Sequence, residues 1–98
     1  MSETILLVGH GSRAANGNRE IEQFVQLWRE RQPAWRIEVC FIEFAEPLLD
    51  AGLTRAAQDA RRVIVVPLIL NAAGHAKMEI PAHIAAARLR HPATEFVY

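Results

Sequence analysis

The sequence predicts an α/β protein with a flavodoxin-like parallel sheet that carries helices on both faces. Short, continuous apolar runs recur along the chain, as expected for strands that are buried on both sides. Segments with helical apolar spacing lie between these runs, which gives the order βαβαβαβ. Parallel strands joined in this way need right-handed crossovers, so the helices are expected to cover both faces of the sheet.

Four strands are predicted from apolar, β-branched and aromatic residues. The first is the run Ile-Leu-Leu-Val at 5–8, which ends at Gly9. The second covers 36–42, the third covers 63–68, and the fourth begins at 95–98. The first and third are continuous apolar runs and are therefore expected to be buried on both faces of the sheet.

The first two helices are predicted from spacing and from the residues that start them. The first extends from residue 18 to about 31, after the turn and cap residues Asn16-Gly17-Asn18. The second follows Pro47, which suits a first helical turn, and its apolar stripe reaches Ala60.

The third helix is predicted to begin at Pro81 and to run to about Arg90. Proline favours the first turn because its missing N–H has no partner there. With this start, Ile84, Ala85 and Leu89 are expected to face the core.

Residues 1–98 are expected to form a single domain, because 98 residues are the usual size of one. The chain stops in its fourth strand at Tyr98. A parallel sheet ordinarily needs cover on both faces. We therefore expect a domain truncated after the fourth strand, lacking a C-terminal helix or a second homologous half.

Composition excludes several classes of partner. Eleven Lys and Arg residues balance eleven Asp and Glu residues, so the chain offers no basic field for nucleic acid and no polybasic tract for a membrane. The longest apolar stretch, 63–70, is far shorter than the roughly 20 residues that span a bilayer. A single cysteine, Cys40, agrees with a reducing, cytoplasmic compartment.

Three chemically capable side chains follow the first three strands. His10 follows the first strand, Glu43 the second and His75 the third. Open α/β sheets bind ligands beyond the carboxyl ends of their strands, and neighbouring strands lie about 4.8 Å apart. Two imidazoles and a carboxylate can bind Co²⁺, Fe²⁺, Ni²⁺ or Zn²⁺ and leave coordination positions open for chemistry.

Each of these residues also has a simpler interpretation. His10 can be a loop residue between glycines, Glu43 a solvated residue near a helix start, and His75 a turn residue. The run 9–14 matches G-x-G-x-x-A, although the predicted helix starts too late to meet a pyrophosphate. Two alternative functions therefore stay open: a nucleotide-binding α/β module and a non-catalytic metal-binding or carrier half-domain.

Three motifs in order resemble those of a known family. They are Gly-His-Gly-Ser-Arg at 9–13, Phe-Ile-Glu-Phe-Ala-Glu-Pro at 41–47, and the segments Val-Pro-Leu-Ile-Leu at 66–70 and Gly-His-Ala-Lys-Met-Glu-Ile-Pro at 74–81. Together they are similar to the class II chelatases of the CbiX/SirB family, the sirohydrochlorin cobaltochelatases and ferrochelatases. The resemblance extends over nearly the whole chain and implies a chelatase-like fold.

The resemblance implies a lyase that inserts a divalent metal into sirohydrochlorin for cobalamin or sirohaem biosynthesis. By this resemblance His10 and His75 are the catalytic, metal-binding histidines and Glu43 is their acidic partner. Co²⁺ is the expected metal, with Fe²⁺ and Ni²⁺ as alternatives, and it enters as substrate without an organic cofactor. Which histidine binds metal and which accepts protons is left open.

The resemblance also implies partners. The tetrapyrrole sirohydrochlorin is the expected substrate, and its peripheral carboxylates need hydrogen-bond donors. Ser12, Arg13 and Lys77 are the nearest candidates in the sequence for these donors. A homodimer or a homologous second domain is expected, because short members of the family pair and long members fuse two such domains.

Overall fold

The structure is a computed structural model that describes residues 2–68 and 74–98, with the side chains of 74–78 outside the description. Strands and helices alternate in the predicted order. The elements are β1 (Glu3–Gly9), α1 (Ala15–Arg31), β2 (Arg36–Phe41), α2 (Leu49–Ala57), β3 (Arg62–Leu68), α3 (Gly74–Arg90) and β4 (Glu95–Val97).

The four strands form one parallel sheet in the order β2-β1-β3-β4. The chain moves from β1 to one side and then returns past it to β3, which is the strand order of a flavodoxin-like sheet. Gly9 at the end of β1 is in register with Phe41 of β2 and Leu68 of β3. Three strand ends therefore meet at one edge, at the point where the strand order reverses.

Helices cover both faces of this sheet, so the predicted fold class is confirmed. Leu6 and Val8 of β1 pack in a buried cluster with Leu53 of α2 and Ile84 of α3. Leu7, between them in sequence, packs on the other face with residues of α1. Among the helices that the structure describes, none combines the length and apolar character needed to cross a bilayer.

The predicted start of α1 is wrong by three residues. The helix begins at Ala15, so Asn16 and Gly17 are helical rather than part of a turn. Asn18 was expected to cap the helix, but its side-chain amide hydrogen-bonds the backbone of Ser12 in the preceding loop. Bonds to a loop residue six positions earlier therefore replace the expected capping of the helix.

The second helix is shorter than its apolar stripe suggested. It ends at Ala57, and Asp59 then has a φ of 56°, a left-handed conformation that cannot continue a right-handed helix. Ala60 is nevertheless buried, because the chain packs against the sheet as it enters β3.

The start of α3 is also predicted wrongly, and this error shifts its buried face. The helix begins at Gly74, so Pro81 lies inside it rather than in its first turn. The inward side chains include Ile80 and Ile84, while Leu89 is 85% exposed and Ala85 also faces outward. Beginning the helix at Pro81 omitted Ile80 from the stripe, and the phase was misassigned as a result.

Cys40 is a buried residue of β2. Its side chain is fully buried, and this burial raises the pKa of Cys40 to about 12. The thiol is therefore protonated at neutral pH and contributes packing. Gly52 of α2 lies against it, because a Cβ at position 52 would be only 2.3 Å from the Cβ of Cys40.

We expect Gly52→Ala to lower the free energy of unfolding by about 1–3 kcal/mol, because the added methyl group overpacks α2 against Cys40. Gly17→Ala in α1 is the matched control. A Cβ there meets the Ser12 Cβ at an ordinary 3.4 Å, so helix propensity should leave stability unchanged or raise it by up to about 1 kcal/mol. Urea unfolding measures the free energy of unfolding of both variants. Equal values for Gly52→Ala and Gly17→Ala would contradict the overpacking argument.

Candidate functional site

His10 and Glu43 meet at the edge where the strand ends converge. His10 directly follows β1, and Glu43 lies two residues beyond β2. The Nε2 atom of His10 is 3.0 Å from Oε2 of Glu43, a distance at which an imidazole N–H donates to the carboxylate. Their side chains are 33% and 41% exposed, so a ligand can reach both. The structure therefore brings together two of the three residues predicted to converge.

Backbone hydrogen bonds hold this pair in place. The N–H of Ile42 donates to the Gly9 carbonyl at 3.0 Å, and the N–H of Glu43 donates to the His10 carbonyl at 3.1 Å. These bonds continue the pairing of β1 and β2 beyond the ends of both strands. The loops that carry the two side chains are therefore as closely joined as the strands themselves.

Gly11 permits this close approach of the two loops. Its φ is 94°, a left-handed conformation that glycine adopts without steric cost. A Cβ at this position would lie 1.6 Å from the carbonyl oxygen of Glu43. Both the backbone angle and the available space therefore require glycine next to His10.

Asn18 fixes the loop between β1 and α1. Its Oδ1 atom accepts the N–H of Ser12 at 2.9 Å, and its Nδ2 group donates to the Ser12 carbonyl at 2.8 Å. The Ser12 hydroxyl oxygen also accepts the N–H of Ala14. Sequence reasoning missed this positioning role; the available signal was the tendency of Asn to bond nearby turn backbone.

The loop between β2 and α2 presents an aromatic side chain beside Glu43. Phe44 has a φ of 67°, and its side chain is 51% exposed. The guanidinium carbon of Arg13 lies 5.0 Å from the centre of its ring. The loop is closed by the Phe41 N–H, which donates to the carbonyl of Pro47 after a cis Glu46–Pro47 peptide. Sequence reasoning did not single out Phe44.

The structure describes some of the other predicted site residues in full and others only by their backbone. The side chains of His75 and Lys77 lie outside the described residues, although both positions belong to the first turns of α3. That helix follows β3, so its start lies at the same edge of the sheet as His10. Ser12 and Arg13 lie in the loop that carries His10, as expected from their sequence positions.

Two other histidines lie outside this site. His83 of α3 contacts the carboxylate of Asp50 at the start of α2, and His91 lies 3.3 Å from the hydroxyl of Thr54. The first contact joins α3 to α2, and the second joins α2 to the residue that directly follows α3. These two histidines therefore link helices on one face of the sheet rather than contributing to the edge where the strand ends meet.

The spacing of His10 and Glu43 suits a shared metal ion. Two ligand atoms bonded to one ion at about 2.1 Å and at a right angle are roughly 3 Å apart. The observed separation of Nε2 and Oε2 matches this, so both atoms can bind one ion as adjacent ligands when Nε2 carries no proton. Within residues whose side chains are described, no group of three or more His, Cys, Asp or Glu residues could hold a metal.

Comparisons with known proteins agree on one family. The CbiX family model matches residues 4–98. The chain is 38% identical over 97 residues to the sirohydrochlorin cobaltochelatase of Priestia megaterium, covering 98% of this chain and 31% of that protein. It is 35% identical over 97 residues to the sirohydrochlorin ferrochelatase of the same organism, covering 98% of this chain and 36% of that protein. It thus spans about a third of the length of these relatives.

A solved structure shows the same architecture. The sirohydrochlorin chelatase SirB from Bacillus subtilis subspecies spizizenii, in complex with cobalt, superposes with a TM-score of 0.85 at 36% identity. The match covers 98% of this chain and 42% of that one.

We expect Gly11→Ala to separate His10 from Glu43 and to lower the free energy of unfolding by at least about 2 kcal/mol, because it adds both left-handed strain and a clash with the Glu43 carbonyl. Affinity for Co²⁺, measured by calorimetry on the folded fraction, should fall because the two ligands are no longer adjacent. Gly17→Ala serves again as the control at a glycine with room for a side chain. Wild-type stability and Co²⁺ affinity in Gly11→Ala would contradict the argument.

Proposed function

Because the chain belongs to the CbiX family, we propose that it is a chelatase domain that inserts a divalent metal, Co²⁺ in the first instance, into sirohydrochlorin. The observation that carries the proposal is the 3.0 Å contact between His10 and Glu43 at the ligand-binding edge of the sheet. Similarity to a cobaltochelatase and a ferrochelatase supports the same reaction.

Metal insertion sets the chemical demands on the site. The macrocycle loses two pyrrole N–H protons while its nitrogens bind M²⁺, so two protons leave for each dication that enters. A base must therefore stand near the pyrrole nitrogens, and neutral imidazole, with an ordinary pKa of about 6.5, can serve. The metal must also be released to the ring, which favours two or three protein ligands over a closed tetrahedral site.

We assign metal delivery and proton removal jointly to His10 and His75. A histidine nitrogen bound to the metal has no lone pair with which to accept a proton, so two histidines divide these tasks better than one. Glu43 contacts the His10 ring, and its negative charge offsets that of the incoming cation. The same carboxylate, 41% exposed, can pass protons to solvent.

Recognition of the tetrapyrrole carboxylates is assigned to Ser12, Arg13 and Lys77. The Ser12 oxygen already accepts the Ala14 N–H, so its own O–H remains able to donate to a carboxylate. Arg13 extends from the same loop, with its guanidinium over Phe44. Charge-assisted bonds from arginine and lysine to carboxylates are among the stronger hydrogen bonds in proteins.

The choice of metal and the absence of an organic cofactor follow from the same chemistry. Insertion changes no oxidation state, so the reaction needs no redox cofactor. Fe²⁺ and Ni²⁺ remain alternatives to Co²⁺, because imidazole and carboxylate ligands select weakly among these ions and supply in the cell decides. We place the reaction in the cytoplasm, since the buried, protonated Cys40 has no disulfide partner in the sequence.

We further propose that residues 1–98 form one chelatase-like unit that pairs with a second copy or a homologous second domain. The apolar surface on one face of the sheet supports this pairing. Helix α1 packs beside β2, whereas Ile64 of β3 is only half-buried on the same face and its neighbour Val97 of β4 is 39% exposed. A partner on this surface would remove these side chains from water.

We expect His10→Ala and His75→Ala each to reduce metal insertion into sirohydrochlorin at least about a hundredfold in an anaerobic absorbance assay. Excess Co²⁺ should partly restore the activity of the variant that lost metal delivery. Higher pH should partly restore the activity of the variant that lost the base. His83→Ala is the matched control, since His83 is 35% exposed and His10 33%. Equal activity in all proteins would contradict these roles, and Co²⁺ binding without turnover in wild type would indicate a metal carrier.

We expect the chain to have twice its single-chain mass in solution by light scattering. Val97→Asp should return it to the single-chain mass, because a carboxylate on this face opposes burial. Leu89→Asp, on the opposite face and more exposed, should leave the mass doubled. A wild-type protein that stays at single-chain mass would count against self-pairing.

A further inference from the structure

Phe44 adopts a backbone conformation that its side chain does not favour. A φ of 67° is rare for an aromatic residue, since its Cβ crowds the following carbonyl oxygen. Such conformations persist where the surrounding structure holds them, and they cluster at functional sites. The chain therefore keeps phenylalanine at a position where glycine or asparagine would be easier to accommodate.

The surroundings of Phe44 explain how this conformation is held. On its N-terminal side, the Glu43 N–H is bonded to the His10 carbonyl. On its C-terminal side, the Phe41 N–H is bonded to Pro47 and closes the loop. Phe44 is thus fixed between two anchored points, directly beside the residue that contacts His10.

Arg13 gives this exposed ring a positive charge. Its guanidinium carbon lies 5.0 Å from the centre of the Phe44 ring, within the range of a cation–π contact. The contact joins the loop after β1 to the loop after β2. Because the ring already orders the arginine side chain, less conformational freedom is lost when the guanidinium binds an anion.

Exposure alone does not distinguish Phe44. Phe24 of α1 is 50% exposed, almost the same as the 51% of Phe44. Phe24 lies on a regular helix, and its ring packs beside Trp28 with centroids 6.0 Å apart. Phe44 differs in having a left-handed backbone, a cation over its ring and a place next to Glu43.

We infer that Phe44 and Arg13 form one recognition unit for the tetrapyrrole, with the Phe44 ring against its conjugated surface and the Arg13 guanidinium at a peripheral carboxylate. This inference rests on the proposed function and adds a substrate-contact residue to it. A flat macrocycle with a rim of carboxylates needs an apolar surface beside a cation, which is the chemistry these two side chains present. The unit lies beside the His10–Glu43 pair, so it orients the ring near the metal.

The decisive variant is Phe44→Gly, because glycine accepts a φ of 67° and the loop can keep its shape without the aromatic ring. Relief of the left-handed strain should offset the lost ring contact, so the unfolding midpoint should stay close to that of wild type. Affinity for metal-free sirohydrochlorin, measured anaerobically by fluorescence titration, should fall about five- to tenfold. Affinity for Co²⁺ alone, measured by calorimetry, should not change.

Two further variants bracket this result. Phe44→Tyr keeps an aromatic ring and should bind the macrocycle within about twofold of wild type. Phe24→Ala removes an equally exposed ring outside the site and should bind as wild type does. In steady-state insertion, Phe44→Gly should raise KM for the macrocycle and leave kcat within about twofold.

The inference is overturned if Phe44→Gly binds sirohydrochlorin as wild type does, or if it loses Co²⁺ affinity in parallel, which would indicate a structural role. Failure of the proposed function looks different. A wild-type chain that binds the macrocycle and inserts no metal would refute chelation, while the binding comparison would still decide the role of Phe44. A wild-type chain that binds no macrocycle would overturn both.

Discussion

The site depends on the hydrogen bonds that extend the pairing of β1 and β2 past the ends of these strands. Through the bonds from Ile42 to Gly9 and from Glu43 to His10, two loops distant in sequence lie as close as adjacent strands. Gly11 makes this approach possible, because no other residue fits against the Glu43 carbonyl. The imidazole and the carboxylate are thereby placed at the spacing of two ligands on one ion.

The same constraint shapes how loosely a cation can be held. Both side chains are partly exposed, so solvent and a ligand can reach the imidazole and the carboxylate. The strain of Phe44 and the tight turn at Gly11 lie in loops, where they are supported by a rigid central strand. Leu6, Leu7 and Val8 of that strand are fully buried, and their packing stabilises the edge from which the site extends.

Strand positions could be predicted well, whereas helix boundaries could not. A continuous apolar run such as 5–8 indicates burial on both faces directly. The order of strands and helices along the chain, and the position of residues 10 and 43 after two strands, could therefore be predicted from the sequence. The start of α3 was placed too late because proline prefers the first turn of a helix. The burial of Ile80 and Ile84 stabilises the longer helix by more than this local preference. The start of α1 was placed too late because Asn18 was interpreted as a helix cap, whereas its side chain hydrogen-bonds the backbone of Ser12.

The sequence by itself determined the parallel α/β class, the family motifs and the candidate residues after each strand, because periodicity and strand ends are local properties of the chain. Only the tertiary structure decided that His10 contacts Glu43, that Arg13 lies over Phe44, and that Phe44 takes a left-handed backbone. These features join two loops about 33 residues apart, and their distances depend on how β1 and β2 pair, which no local pattern of residues records.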